Sequence, residues 1–202
     1  VALLDGLPLQ NHRLLAGRIQ VEDPDDWAPE YPAADRQHGT AMASLIVHGD
    51  LNDGTRALAR PIYVRPVMKP VQGLHHRTEH IPADVMLVDH IHRAVKRLFE
   101  EDSGEPAAAP TVRIVNFSIG DRARQFTQLM SPLARLLDWL SVKYQVLFVI
   151  SAGNHEERLI DTGLPRDAFG HLTDDELERL VVSKLYDDAR HRRLLSPAES
   201  VN

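Results

Sequence analysis

A chain of 202 residues, 43% hydrophobic and 26% charged, has the composition of a globular protein that buries its apolar surface in one core. Its net charge of −6 argues against general binding to a phosphate backbone, so no nucleic-acid partner is expected, and no apolar run approaches the roughly 20 residues that span a bilayer, so no membrane partner is expected either. Cysteine is absent, which rules out disulfides and thiolate metal sites and fits a reducing, cytoplasmic compartment.

The chain opens at Val1, inside what reads as a core strand and without an initiator methionine. A natural N-terminus upstream is expected, and the lack of a targeting segment is uninformative about destination. Val1 to Leu4 is an apolar strand that runs into Asp5. His38 to Val47 reads as a helix with small residues on its first turns. Pro61 to Val67 is a strand-like run bounded by prolines. Ala83 to Phe99 places Val85, Val88, Ile91, His92, Val95 and Leu98 close to helical spacing, the pattern of an amphipathic helix with a solvent face.

Ser103 to Pro110 is a Gly/Pro/Ala loop, followed by a strand over Val112 to Phe117. Ser131-Pro132 starts a helix, with serine as N-cap, proline in the first turn, and Leu133, Leu136, Leu137 and Leu140 on one face. Val146 to Ile150 is the most hydrophobic strand and leads into Ser151-Ala152-Gly153-Asn154. From about 155 to 196 the composition turns polar, with a short helix over Asp174 to Leu185 capped by Thr173, and this reads as a surface insertion within one domain. The basic cluster Arg190, His191, Arg192, Arg193 reads as a solvated helix end. The alternation of strands and helices predicts an α/β fold, a parallel sheet with helices on both faces.

Three chemical groups stand at the ends of strand-like runs or at the start of a helix. Asp5 ends the first strand, His38 opens a helix as His38-Gly39-Thr40-Ala41-Met42-Ala43, and Asn154 follows the last strand. An acid, an imidazole and an amide donor in that order form a catalytic layout that lacks its nucleophile. A neutral imidazole can take a proton from a hydroxyl at physiological pH, an anion fixes its tautomer and stabilises the imidazolium, and a preorganised amide stabilises an oxyanion.

With Val115-Asn116-Phe117-Ser118-Ile119-Gly120 added, these segments resemble the subtilisin-like serine proteases, the subtilase family, in the family's own order from Val1 to about Asn154. The resemblance implies a three-layer α/β/α fold, truncated before the serine-bearing helix. It also implies Asp5 and His38 as triad members, Asn154 in the oxyanion hole, and Ser118, Ile119, Gly120, Ser151, Ala152 and Gly153 as substrate-binding residues. The substrate would be a peptide or protein, and no cofactor is implied. Ser196-Pro197-Ala198 resembles the stretch that the family places before its next core strand. The Asp5-Gly6-Leu7-Pro8 start, where the family usually has Thr or Ser and then Gly after the aspartate, is similar to an intracellular bacterial member that works beside an ATPase partner.

The serine box, Gly-Thr-Ser, occurs nowhere in the 202 residues. The chain is therefore expected to be inactive by itself, its intact parent being a serine endopeptidase. A module that binds peptides or a partner without cleaving them is the alternative. Gly39 to Ala43 could also be read as a serine box whose serine has become alanine, but the order of the segments favours a histidine box. A nucleotide-binding domain would need a Gly-rich loop after the first strand, and Gly6 and Gly17 are too isolated to make one. His75, His76, His80, His90 and His92 lack metal-site spacing and are expected at the surface. No metal site is expected, with Asp23-Pro24-Asp25-Asp26 only a weak calcium candidate.

Overall fold

The computed structural model describes residues 1–54, 56–72, 77–120, 130–151 and 162–191. β1 (Ala2–Asp5) is four consecutive buried residues, a run that satisfies a strand covered on both faces. It lies at the centre of a five-stranded parallel sheet, with β3 (Ile62–Pro66) on one side and β6 (Ile114–Phe117) on the other. Leu3 pairs with Val64 in the first ladder and with Asn116 in the second, and Asp5 extends the first by pairing with Pro66. β2 (Ile19–Val21) and β7 (Leu147–Ile150) form the two edges. The order β2-β3-β1-β6-β7 puts successive connections on opposite sides of β1. A crevice therefore opens beyond the C-terminal ends of β1 and β6, where open parallel sheets bind ligands.

Side-chain alternation divides the core in two. Ala2, Leu4, Tyr63, Val115, Phe117 and Phe148 face α2 (Leu87–Phe99) and α3 (Pro132–Tyr144), whose Ile91, Val95, Leu98, Leu137 and Leu140 complete the larger cluster. Leu3, Ile62 and Val64 face the opposite way, toward Ala43 and Val47 of α1 (Gln37–His48). The result is the expected three-layer α/β/α arrangement. Among the described residues, those on the α1 side pack over the β2-β3-β1 half, and Ile114, Leu147 and Val149 on β6 and β7 are 39%, 60% and 45% exposed.

Helix boundaries follow local chemistry. Ser131 caps α3 by accepting a hydrogen bond from the Ala134 N–H at 3.1 Å, and Pro132 occupies the first turn. α2 begins at Leu87 rather than Ala83, because the residues after Pro82 form a turn. Its buried face is Leu87, His90, Ile91, Ala94, Val95 and Leu98, a stripe that includes His90 in place of His92.

The expected surface position of His90 is thus corrected. It is 1% exposed, packed against the Trp27 ring with centroids 5.7 Å apart, and burial pushes its pKa down. Asp23, the first residue of the calcium candidate, instead accepts a hydrogen bond from the Ala28 N–H at 2.8 Å.

Two elements absent from the sequence reading are β2 and an antiparallel hairpin, β4 (Lys69–Gln72) and β5 (Arg77–His80), which leaves the sheet immediately after β3. In the polar segment read as an insertion, Arg166–His171 forms a 3-10 turn and α4 spans Asp174–His191, longer than expected. Thr173 and Glu176 cap α4 reciprocally: the Thr173 N–H donates to Glu176 Oε2 at 2.9 Å, and the Glu176 N–H donates to Thr173 Oγ1 at 3.4 Å. Ala152, Gly153, Asn154, His75, His76, Arg192, Arg193 and residues 196–198 lie outside the described residues.

Candidate active site

Asp5 stands at the C-terminal end of the central strand and is completely buried. One of its oxygens, Oδ1, accepts the Gly6 N–H at 2.6 Å and meets His38 Nδ1 at 2.7 Å. The other, Oδ2, is buried with no hydrogen-bond partner among the described residues. His38 is the second residue of α1, and its side chain is 48% exposed, so the ring is anchored at Nδ1 and open to solvent elsewhere. A carboxylate held against Nδ1 in this way fixes the orientation of the ring and can fix its tautomer.

The residues around the pair explain how strand and helix come so close. A Cβ on Gly39 would overlap the Gly6 carbonyl, so the first turn of α1 can rest on the end of β1 only because position 39 has no side chain. Thr40 then ties the two segments together, its hydroxyl donating to the Arg36 carbonyl at 2.5 Å and accepting the Leu9 N–H at 2.9 Å. In His38-Gly39-Thr40, each residue serves the same contact: the imidazole, the space and the tether.

A second carboxylate joins the pair. Glu79, carried by β5, accepts a hydrogen bond from the hydroxyl of Tyr31, which is 1% exposed. A Cβ on Gly6 would overlap both Glu79 Oε1 and the Tyr31 hydroxyl, so Gly6 makes the room for this contact. Arg36 braces the Tyr31 segment from behind by donating to the carbonyls of Tyr31 and Ala28 at 2.8 and 2.9 Å.

The electrostatics follow from these neighbours. The Asp5 hydrogen bond raises the pKa of His38 above its ordinary value, burial opposes it, and the negative charges of Asp5 and then Glu79 add to the rise. Burial pushes Glu79 up, the Tyr31 donor pulls it down, and the Asp5 charge raises it again. Tyr31 is pushed well above the usual phenol range by burial and then by Glu79.

Asp5, His38 and Glu79 offer a nitrogen and two carboxylate oxygens within 4.8 Å of one another, the one such group among the described residues. Two ligand atoms of a tetrahedral ion with bonds of about 2.0 Å stand roughly 3.3 Å apart. The 2.7 Å separation of Asp5 and His38 is that of a hydrogen bond instead.

In front of His38 lies a cavity of about 530 Å³ lined by His38, Met68, Pro70, Glu79 and the stretch Ser118 to Gly120. Ser118, Ile119 and Gly120 therefore share a wall with His38 just past the end of β6, and the Ser118 hydroxyl donates to Asn116 Oδ1 at 2.8 Å. Ser151 follows β7, and its N–H donates to the Phe117 carbonyl at 3.3 Å, beside the same strand end. Of the residues predicted from sequence, the structure brings Asp5 and His38 into contact and sets Ser118, Ile119 and Gly120 on the cleft. Ala152, Gly153 and Asn154 lie outside the described residues.

Sequence reasoning missed Tyr31 and Glu79, which belong to no motif and are 48 positions apart in the chain. The only local signal was the nearby histidines His75, His76 and His80, which do not by themselves mark a site.

No helix among the described residues is long and apolar enough to cross a membrane. No curated protein matches the sequence. The family model of the subtilases, Peptidase_S8, matches residues 1–183, covering both strands that hold the acid and the cleft wall as well as the histidine helix. The chain belongs to the subtilase family.

Proposed function

We propose that this chain supplies the acid, the base and the substrate-binding edge of a subtilisin-like serine endopeptidase. The observation that carries the reading is the 2.7 Å hydrogen bond between His38 Nδ1 and the wholly buried Asp5, in a fold whose crevice opens at the same point. Asp5 holds the imidazole with its proton on Nδ1, leaving Nε2 free to accept a proton from a serine hydroxyl. That hydroxyl attacks the peptide carbonyl to form an acyl-enzyme, and the proton passes from His38 to the leaving amine. Asn154 is assigned to the oxyanion hole by its motif, where losing such a donor typically costs about 2.7–4 kcal/mol of transition-state stabilisation. Ser118, Ile119 and Gly120 receive the substrate backbone as an added strand, with Ser151, Ala152 and Gly153 lining the pocket beside them. A partner ATPase belongs to this proposal as an analogy with the intracellular members of the family.

The nucleophile is not among the 202 residues in a Gly-Thr-Ser box, so the chain by itself should not cleave peptides. The same fact favours a second reading, a protease-like module that binds peptides without cutting them. Both are tested by expressing the complete reading frame and exposing it to a fluorophosphonate, with the adduct located by mass spectrometry. An adduct on a serine in a Gly-Thr-Ser box, lost in His38→Ala, is the expected result. A frame that takes no adduct overturns the protease reading and makes the binding module the leading account.

A further inference from the structure

Glu79 has no place in an acid-base-nucleophile scheme, yet several features of the chain keep it beside the pair. The hairpin of β4 and β5 leaves the sheet directly after β3, the neighbour of the Asp5 strand, and folds back toward the turn at Ala33–Asp35 that precedes α1. Tyr31 is buried and gives its hydroxyl to Glu79. Position 6 is a glycine where any side chain would displace both groups. Glu79 also lines the cavity into which the His38 ring opens.

The other charges near the ring can be named. Asp5 faces it from β1 and Glu79 from β5, and Asp35, from the turn before α1, lines the same cavity. Arg36 at the start of α1 has its guanidinium engaged by the carbonyls of Tyr31 and Ala28, and no Lys or Arg among the described residues lines the cavity. The charged side chains of the described residues that line the cavity beside the ring, Asp35 and Glu79, are thus both carboxylates.

We propose that Glu79 is a positioning residue for His38, a second carboxylate that Tyr31 clamps beside Asp5 so that the imidazolium formed in proton transfer is held by two anions instead of one. A unit charge within 4.8 Å stabilises the imidazolium by enough to move its midpoint about half a pH unit even in bulk water, and by more where the cleft excludes water. The signs are consistent: the Glu79 charge contributes to the raised His38 value, and the His38 charge opposes the rise of Glu79. Its meaning for catalysis rests on the reading of His38 as general base, whereas the coupling itself does not.

The test is an NMR titration of the His38 ring in the protein and in Glu79→Gln, with the ring of buried His90 as an internal record of an intact core. The expected result is a His38 midpoint lower by about half a pH unit or more in Glu79→Gln, with the His90 resonance in place. A midpoint unchanged in a folded Glu79→Gln overturns the proposal. Should that variant lose the His90 signal, Glu79→Ala decides by the same reading: the charge is gone, so the His38 midpoint must again fall, and an unchanged midpoint overturns the proposal. The titration needs neither nucleophile nor substrate. A shifted midpoint in a protein whose full frame takes no fluorophosphonate supports the coupling and overturns only the protease reading. In a frame that does react, the acid limb of kcat/KM should move down with the His38 midpoint in Glu79→Gln.

Discussion

Gly39 is a residue where two effects of opposite sign can be weighed. Helix propensity alone makes alanine about 1 kcal/mol better than glycine at this position of α1. Against that stands the overlap of a Cβ with the Gly6 carbonyl, a backbone atom that cannot swing aside, and overpacking of this kind costs about 1–3 kcal/mol. The clash should win, so Gly39→Ala is expected to lower the unfolding midpoint in urea and to part Asp5 from His38, seen as a fall in the His38 titration midpoint. For His38 itself, the complete protein carrying His38→Ala should lose at least about a thousandfold in kcat/KM. Stability shows the linkage. Because the folded state raises the pKa of His38, its contribution is full below the ordinary histidine value of about 6.5 and is lost as pH rises through the raised one. The stability gap between the native protein and His38→Ala should therefore be widest in mild acid and narrow toward alkaline pH, which urea melts at several pH values will measure.

Among the elements, α2 and α3 form the layer opposite α1, and each offers a test. Leu137 on α3 is fully buried, so Leu137→Ala should cost about 2–5 kcal/mol, while removing the α3 cap with Ser131→Ala should cost about 1 kcal/mol. On α2, His90 has the opposite linkage to His38. Burial lowers its folded pKa, so the unfolded chain takes up a proton first as pH falls below about 6.5, and stability is lost in that direction. His90→Gln should flatten the acid side of the stability profile, and an unchanged slope would show that His90 is not its source. These helices and the strands β1, β3, β6 and β7 were legible in the sequence because each has an apolar run or a helical stripe bounded by prolines, a cap or a glycine. Asp5 and His38 were legible because each sits in a recognisable segment at a strand end or helix start. β2 is three residues with one buried side chain, too short for a period to show. The β4–β5 hairpin carries Pro70 in a strand and has no run of alternating apolar residues, so Glu79 was hidden in a stretch marked only by its histidines. His90 was misplaced because a histidine carries no sign of burial until the facing Trp27 is known.

For the molecule as a whole, strand order accounts for the site more than any single residue does. The sheet changes direction of growth at β1, and the acid, the histidine helix and the end of β6 all meet at that point. Among the described residues, Ile114, Leu147 and Val149 form an exposed apolar strip on β6 and the edge strand β7, and such a strip invites association. The chain should bind a hydrophobic dye and self-associate on a sizing column. Leu147→Glu combined with Val149→Glu should reduce both while changing stability by no more than about 0.5 kcal/mol per site, as expected for exposed positions. The central place of β1 has a further consequence in time. Its two sheet partners begin at Ile62 and Ile114, so a ribosome adding roughly 5–20 residues per second leaves the strand ending in Asp5 without its second neighbour for about 5–20 seconds after it is made. The segment that carries the buried acid thus waits, apolar and half-paired, for most of the synthesis of the sheet.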